Sequence, residues 1–293
     1  MAVGPAPPRP SMMSSTPARR PPRSIITPKR NWLPTSLSEV WEFRSLLARF
    51  AARDITLRYR QTALGVTWVI LQPLLAAGIL AFVFGGVADL PSPPGVPYFV
   101  FSLVGLVGWT AFSQIAIRSS SSLVGNAALV TKVFFPRLLL PLSTVASTLV
   151  DVGVSIVLLA GLLLASDISA GWPLLLAPFW LILLIVAALG IGLLAGALMV
   201  QYRDVTYVLP VAIQFLLYAS PVAYAYSAVP ESAQWLYRLN PLTALFEGFR
   251  WSVLGTARPS TSLIAYSIAA VLAGLLVGLV AFGRMERQFA DVI

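Results

Sequence analysis

The chain has 293 residues, of which 58% are hydrophobic and only 11% are charged, and its net charge is +9. Soluble domains carry about 25% charged residues, so this composition indicates an all-α integral membrane protein. Cys and His are both absent, which excludes disulfides, Cys/His metal sites, thiol nucleophiles and imidazole acid–base catalysis. We expect no metal site, and the placement of the positive charges favours membrane topology over nucleic-acid binding.

The first stretch, residues 1–35, is rich in proline and arginine and contains little that could be buried. Repeated prolines block the hydrogen bonds of helices and sheets, so we predict a disordered cytosolic tail. Proximity to anionic lipid headgroups is the simplest role for this tail, and binding of a specific partner is the alternative. Residues 36–293 are predicted to form one transmembrane domain.

Residues 36–60 have the pattern of an amphipathic helix, and Ser36 with Glu39 forms a capping box at its start. At about 100° per residue the charged and apolar side chains fall on opposite arcs. The apolar arc consists of Val40, Phe43, Leu47, Phe50, Ala51 and Leu57. We predict a helix in the membrane interface with this arc in lipid, and a solvated helix docked on protein is the alternative.

Six apolar stretches follow, each long enough to cross a hydrocarbon core of about 30 Å at about 1.5 Å per residue. The predicted spans are 63–88, 96–117, 138–166, 172–200, 205–229 and 263–283. Asp151 is the only carboxylate deep in a span. We interpret it as a protonated, hydrogen-bonded structural residue, with a role in gating or at an interface as the alternative.

The Lys and Arg residues predict the orientation of these spans. All of them except Arg238, Arg250 and Arg258 fall on the side of the N-terminal tail. An even number of spans also places both ends of the chain on one side. The positive-inside rule therefore predicts a multi-pass protein with both termini in the cytosol.

Residues 230–262 are too polar to span a membrane but are rich in aromatic residues. A short helix can begin after Pro241, and non-spanning helix at membrane depth is tolerated where protein buries it. We predict re-entrant or interfacial helices that form an outer lid, with an amphipathic segment on the outer leaflet as the alternative. The lid residues singled out are Asn240, Pro241, Glu247 and Arg250.

The chain has no Walker A sequence, so we expect it not to hydrolyse ATP by that route. Ion-coupled carriers place several ionisable groups at mid-membrane, and Asp151 alone is thin support for such a mechanism. Many spans without an energy source are typical of a transport subunit that a partner drives, and not of an enzyme.

Five blocks, at residues 53–75, 129–143, 202–224, 239–255 and 284–293, resemble a known family in the same order. They include "RDITLRYRQTALGVTWVILQPLL", "LVTKVFFPRLLLPLS" and "LNPLTALFEGFRWSVLG". The chain from about residue 40 onward is similar to the permease subunits of ABC-type polysaccharide exporters. These ABC-2 permeases export O-antigen, capsule and teichoic-acid-type polymers.

The resemblance implies a homodimer of six-span subunits in the bacterial cytoplasmic membrane, surrounded by membrane lipids, with two copies of a cytosolic ABC ATPase beneath it. ATP and Mg would bind in the ATPase, so no cofactor is expected in this chain. The loop after span two would be a coupling helix inserted into the ATPase, formed by Thr131, Lys132, Phe134, Phe135, Pro136 and Arg137. Both phenylalanines would be apolar anchors, both cations would fix the register, and the proline would end the helix. An aromatic belt at the membrane interface is the alternative.

The resemblance also implies that residues 36–60 form a gate beside the entrance for a polyprenyl-diphosphate-linked polysaccharide. Arg53, Arg58, Tyr59 and Arg60 would then meet the head group, because guanidinium groups bind phosphate in bidentate fashion. Positive-inside anchoring is an equally good explanation of each arginine taken singly. Candidates to line the channel are Trp68, Gln72, Tyr98, Trp109, Tyr218, Tyr224 and Tyr226.

Two other functions stay open at this stage. An ABC-2 permease for a lipid or a small drug would need a compact pocket in place of a continuous aromatic track. A membrane-embedded transferase that uses polyprenyl-phosphate sugars would need acidic or His clusters in its loops. The predicted outer loops contain only the widely spaced Asp89, Asp167, Glu231 and Glu247.

Overall fold

The computed structural model describes residues 37–60, 67–166, 168 and 171–286, together with Gly4. The predicted tail, apart from Gly4, and the capping residue Ser36 lie outside the described residues. Every element in the described part is helical, which confirms the all-α fold. The α-helices are α1 (Leu37–Glu42), α2 (Arg44–Tyr59), α3 (Thr67–Leu80), α4 (Tyr98–Ser121), α5 (Ala127–Lys132), α6 (Leu139–Ala165), α7 (Ala177–Gln201), α8 (Val205–Tyr218), α9 (Glu231–Leu239), α10 (Leu242–Leu254) and α11 (Thr261–Met285).

Five helical segments are long and apolar enough to cross a membrane. They are Thr67–Val87, Tyr98–Ser121, Leu139–Ala165, Trp172–Gln201 and Thr261–Met285. The first continues α3 through a π-helical turn at Ala81–Val87, and the fourth joins a 3₁₀ turn at Trp172–Leu176 to α7. They correspond to the predicted spans one to four and six.

The predicted fifth span, over residues 205–229, is wrong in its extent, because α8 ends at Tyr218 after 14 residues. Such a helix is about 21 Å long and falls short of a core of about 30 Å. Pro221 disfavours helical backbone at the residue before it. The carbonyl groups of Pro221 and Val222 instead accept hydrogen bonds from Arg250.

The core of the bundle lies around α4, which packs against α6 and α7, while α11 packs along α7. Small residues permit this close packing. A methyl group on Gly192 or Gly196 of α7 would meet Ser119 or Ser120 of α4, and one on Gly190 would meet the backbone of α11. The stretch "GIGLLAG", residues 190–196, therefore lies at helix contacts, as expected for small residues in membrane proteins.

Two helices leave large apolar faces uncovered. On α3 and its π-helical extension, Trp68, Leu75, Ile79 and Phe82 are exposed. On α8, Tyr207, Phe215 and Tyr218 are exposed. A soluble monomer rarely exposes so much contiguous apolar surface, so lipid or another protein chain must cover these faces.

The helix predicted over residues 36–60 forms two pieces, α1 and α2, with a turn at Phe43. α2 packs on α6, and its Phe50 and Ala51 are buried. The prediction that the whole apolar arc faces lipid is therefore wrong for Phe50 and Ala51, whereas Phe43 and Leu57 are exposed. The buried part of the arc contacts protein, which fits the alternative of a docked helix.

Candidate functional site

A polar cluster joins α2 to the middle of α6. We call the side of the bundle that contains α2 and this cluster the α2 end. Arg58 forms an ion pair with Asp151, and the Tyr59 hydroxyl donates a hydrogen bond to the same carboxylate. Asp151 lies about 18 Å along α6 when residues from Leu139 are counted at about 1.5 Å each. Asp151 is therefore hydrogen-bonded, as we interpreted from the sequence, and it also contacts a guanidinium.

A second set of polar contacts surrounds this pair. Arg53 donates to Asp54 Oδ1 at 3.1 Å and to Asn126 Oδ1 at 2.8 Å, which ties α2 to the turn before α5. Arg118 of α4 donates to Thr148 Oγ1 of α6 at 2.9 Å. The cluster therefore contains more guanidinium groups than carboxylates, and its net charge is positive.

The predicted head-group residues are brought together only in part. Arg58 and Tyr59 point toward α6, Arg53 is paired with Asp54, and Arg60 is exposed at the end of α2. The pairing of Arg58 with Asp151 was not predicted from the sequence. A signal was available, because a lone carboxylate at membrane depth requires a partner.

The loop predicted to couple to an ATPase contains a 3₁₀ turn at Val124–Asn126 and the short helix α5. We call residues 124–137 the α5 loop. Its tip projects from the bundle, with Lys132 and Val133 exposed and the Phe134 side chain 91% exposed. Thr131, also exposed, donates its hydroxyl to the carbonyl of Ala127 at 3.1 Å.

Two expectations for this loop are wrong. Phe135 is only 5% exposed, and its ring meets that of Phe50 at 5.5 Å, so it anchors α2 within the chain and is not an outward anchor. Pro136 does not end α5, because the helix ends at Lys132 and Val133 is already extended. In the bent segment after α5, Phe134 is exposed and Phe135 is buried.

Arg137 also turns inward, in contrast to its expected role in fixing the register with a partner. Its guanidinium donates to the backbone carbonyl of Glu286, and its backbone N–H lies 3.4 Å from Glu286 Oε1. Burial raises the pKa of the Glu286 carboxyl group, an effect that Arg137 opposes. The α5 loop is thus fastened at its base to the end of α11.

The opposite region of the bundle, which we call the α10 end, is built around Arg250. This side chain is 1% exposed and donates to Glu247 Oε1 at 2.8 Å. It also donates to the carbonyl groups of Pro221 and Val222, both at 2.8 Å, and lies 4.1 Å from the centre of the Phe101 ring. Burial lowers the pKa of the Arg250 guanidinium, and Glu247 opposes this effect. Glu247 and Arg250, three residues apart on one helix, thus share a face inside the protein.

Asn240 and Pro241 set the start of α10. The Asn240 side chain donates to the carbonyl of Ala219 at 3.0 Å and to Ser220 Oγ at 2.8 Å, and its Oδ1 accepts from the Leu242 N–H at 3.0 Å. α10 begins directly after Pro241, as predicted. Most of α10 is buried against α4 and α7, which does not fit an amphipathic segment on a membrane surface.

The candidate channel residues fall into three groups. The prediction that Trp109 lines the channel is wrong for this chain, because the residue is buried against Phe112 and Phe246. Trp68, Gln72 and Tyr218 are exposed on α3 and α8. The remaining three belong to the α10 end, where their hydroxyl groups are hydrogen-bonded: Tyr98, Tyr224 and Tyr226.

Comparisons with known proteins agree with this architecture. The profile of the ABC-2 type transporter family matches residues 46–254. The O-antigen export system permease protein RfbA of Klebsiella pneumoniae is 28% identical over 253 residues, covering 85% of this chain and 95% of the relative. RfbA of Myxococcus xanthus is 28% identical, covering 87% and 98%. The polysialic acid transport protein KpsM of Escherichia coli is also 28% identical, covering 80% and 91%.

Proposed function

Because the chain belongs to the ABC-2 type transporter family, we propose that it is the membrane subunit of an ATP-driven polysaccharide exporter. Its cargo is a polysaccharide linked to a polyprenyl diphosphate, which it moves out of the cytosol across the bacterial cytoplasmic membrane. The observation that carries this proposal is that relatives named for O-antigen export and for polysialic acid transport align with 80% to 87% of the chain. ATP and Mg bind in the partner ATPase.

The exposed tip of the α5 loop is the proposed contact with this ATPase, two copies of which serve a homodimer. Phe134 projects as a single aromatic side chain beside Lys132, while Phe135 and Arg137 fasten the base of the loop to the bundle. An exposed aromatic residue on a loop whose base is fastened fits the pattern of an interface hot spot, where aromatic side chains are enriched.

The uncovered faces of α3 and α8 support a homodimer. Two copies that join these faces would bury Phe82, Tyr207 and Phe215, which are 70%, 77% and 70% exposed in the single chain. The path between the copies would then be lined by Trp68, Gln72 and Tyr218. Aromatic faces with polar tips suit a sliding sugar chain, which needs many weak contacts.

The positive cluster at the α2 end is the proposed place of the substrate's diphosphate. Arg58 already binds the carboxylate of Asp151, and a phosphate group offers the same pair of oxygen acceptors. The Arg58 side chain is 26% exposed, so an anion can reach it without unfolding α2. If Arg58 released Asp151 and bound phosphate instead, α2 would be held less tightly on α6 and the entrance would open.

The orientation follows the positive-inside rule, with the α2 end and both termini in the cytosol. Single Cys residues at Asp89 and Glu231 should react with a membrane-impermeant maleimide from outside the cell, whereas Cys at Lys132 and Arg203 should not. The absence of native Cys makes the labelling specific. Labelling of position 132 from outside would overturn this topology.

Export itself is tested with the permease and its ATPase reconstituted together in lipid. A lipid-linked saccharide should stimulate ATP hydrolysis and cross the bilayer only when ATP is present. Phe134→Ala should lower both activities, while Val124→Ala, at another exposed apolar residue of the loop, serves as the matched control. Stimulation by a small drug without stimulation by the saccharide would favour a drug or lipid permease.

A further inference from the structure

A groove opens at the α10 end between the 3₁₀ turn Tyr226–Ala228, α9, α10 and the start of α11. It has a volume of about 660 Å³, which is in the range of small-ligand sites of about 300–1,000 Å³. The side chains that define it are Tyr226, Arg238, Glu247, Arg258, Ser262 and Tyr266. The hydrogen bonds and ion pairs of the α10 end described above do not account for a groove of this volume.

The charges in this groove leave an excess of positive charge. Arg238 donates to the Tyr226 hydroxyl at 3.2 Å, and the Arg258 guanidinium lies 5.6 Å from the centre of the Trp251 ring. Within the described part of the chain, neither guanidinium has a carboxylate at ion-pair distance. Glu247 also faces the groove, but its charge is balanced by Arg250 at 2.8 Å. The groove is therefore suited to an anion.

Its other side chains suit a sugar. Tyr226 and Tyr266 offer flat faces for the apolar C–H surface of a sugar ring, and Ser260 and Ser262 offer hydroxyl groups. The Tyr266 hydroxyl donates to the carbonyl of Leu239 at 2.8 Å, which holds its ring in place. Because this side chain is ordered before a ligand arrives, less conformational entropy is lost on binding.

A second cavity, of about 430 Å³, continues the groove and shares Ser227, Glu247 and Ala257 with it. The shared lining makes the two cavities parts of one continuous groove.

We propose that the two cavities form one binding groove for a saccharide segment that carries a carboxylate or a phosphate. The proposal rests on the proposed function, because the ligand would be part of the exported polymer. Arg238 and Arg258 bind the anionic group, Tyr226 and Tyr266 contact the sugar ring, and the hydroxyl groups of Ser260 and Ser262 bond sugar hydroxyls. The groove thereby favours anionic polymers over neutral ones at this end of the permease.

The test uses the full permease–ATPase complex in nanodiscs of phosphatidylcholine. A single Cys at Ser262, in a chain without native Cys, is labelled with an uncharged polyethylene glycol maleimide. An oligomer of sialic acid and a phosphorylated dextran should slow the labelling, and a neutral dextran of the same length should not. Arg238→Gln and Arg258→Gln should each raise the half-protecting concentration about tenfold, as expected when a charge-assisted hydrogen bond is lost. Arg203→Gln, at an exposed arginine outside the groove, should leave it unchanged.

Equal protection by the neutral dextran, or protection that survives both substitutions in the groove, would overturn the proposal. A second set of nanodiscs contains phosphatidylglycerol. If this lipid alone slows labelling and the anionic saccharides add nothing, the groove holds a lipid headgroup and the proposal fails. The assay needs no ATP and no export. If the anionic saccharides do not slow labelling of a complex that still exports polysaccharide, only the groove is rejected. If they slow labelling of a complex that exports no polysaccharide, only the proposed function is rejected.

Discussion

The two ends of the bundle each contain an arginine paired with a carboxylate, but the surroundings of the two pairs differ. At the α10 end, the side chains of Arg250 and Glu247 are 1% and 15% exposed, and both lie on one helix. At the α2 end, the side chains of Arg58 and Asp151 are 26% and 9% exposed and join two helices. Arg250 additionally donates to backbone carbonyl groups, whereas Arg58 keeps contact with solvent.

This difference in solvation decides what each pair can do. A charge that has lost its water must keep every partner, because removal of one partner leaves the other buried and unpaired. A partly solvated guanidinium can exchange one anion for another with a smaller loss. We therefore expect the Arg250 pair to hold the fold, and the Arg58 pair is the proposed contact that changes during transport.

The largest expected effect is at the α10 end. Arg250→Ala should lower the free energy of unfolding by about 3–5 kcal/mol, because Glu247 and the carbonyl groups of Pro221 and Val222 lose their donor. The protein should aggregate or fail to accumulate in the membrane, as measured by detergent-solubilised yield and melting temperature. Arg238→Ala, at an exposed arginine of α9, should keep the wild-type melting temperature. If Arg250→Ala is equally stable, this pair does not hold the fold.

A smaller effect is expected where the α5 loop meets α2. Phe135→Ala should lower the unfolding free energy by an amount near the lower limit of about 3–5 kcal/mol for a buried phenylalanine, because it removes the ring that packs on Phe50. Phe134→Ala should leave stability unchanged, because that ring is 91% exposed, but it should weaken co-purification of the ATPase. Lost stability in Phe134→Ala, together with weakened co-purification of the ATPase in an otherwise stable Phe135→Ala, would contradict the structure of the α5 loop.

Local sequence patterns predicted the contacts between neighbours in the chain and missed those between distant segments. Glu247 and Arg250 are three residues apart on one helix, so periodicity alone placed them together. Arg58 and Asp151 belong to different helices, and no periodicity relates them. For the same reason, the end of α8 at Tyr218 escaped prediction, since it depends on bonds from Asn240 and Arg250.

Burial within a membrane protein was equally hard to predict. Trp109 was expected to line a channel but is buried in the core, and an apolar helix that is buried on several sides gives no polar face to orient it. Phe134 and Phe135 have the same side chain and adjacent positions, yet one is exposed and the other is buried. The contact with Phe50, a residue of a distant helix, distinguishes the buried Phe135 from its neighbour.

A third, smaller effect tests the assignment of the α2 end as the changeable one. Asp151→Asn should weaken the docking of α2 on α6 by about 1 kcal/mol, because the remaining Arg58 is partly solvated. Arg58→Gln should weaken it by more, because it leaves the buried Asp151 carboxylate without its cation. Hydrogen–deuterium exchange should rise in α2 and stay unchanged in α10. The double variant should exchange less than the sum of the two single effects predicts, because the two residues share one contact. Unchanged exchange in α2 of both single variants would show that the pair does not hold this helix.

The smallest expected effect is a dependence of stability on pH that comes from Glu286, at the base of the α5 loop. Burial raises the pKa of Glu286 above its ordinary value of 4.5, while the neighbouring Arg137 lowers it. The folded state therefore holds this proton more tightly than the unfolded state does, and this contribution to stability is lost as pH rises through the raised pKa. Glu286→Gln cannot titrate and should lack this loss.

The measurement is the melting temperature of the wild type and of Glu286→Gln in detergent as the pH rises from about 4.5. The wild type should lose stability relative to Glu286→Gln over this interval, with the gap ceasing to grow once the folded-state carboxyl group has titrated. Glu231→Gln removes the same charge from an exposed position on α9 and should follow the wild type. Parallel curves for the wild type and Glu286→Gln would mean that water reaches the Glu286 carboxylate, and that the base of the α5 loop is less closed against α11 than its contacts with Arg137 indicate.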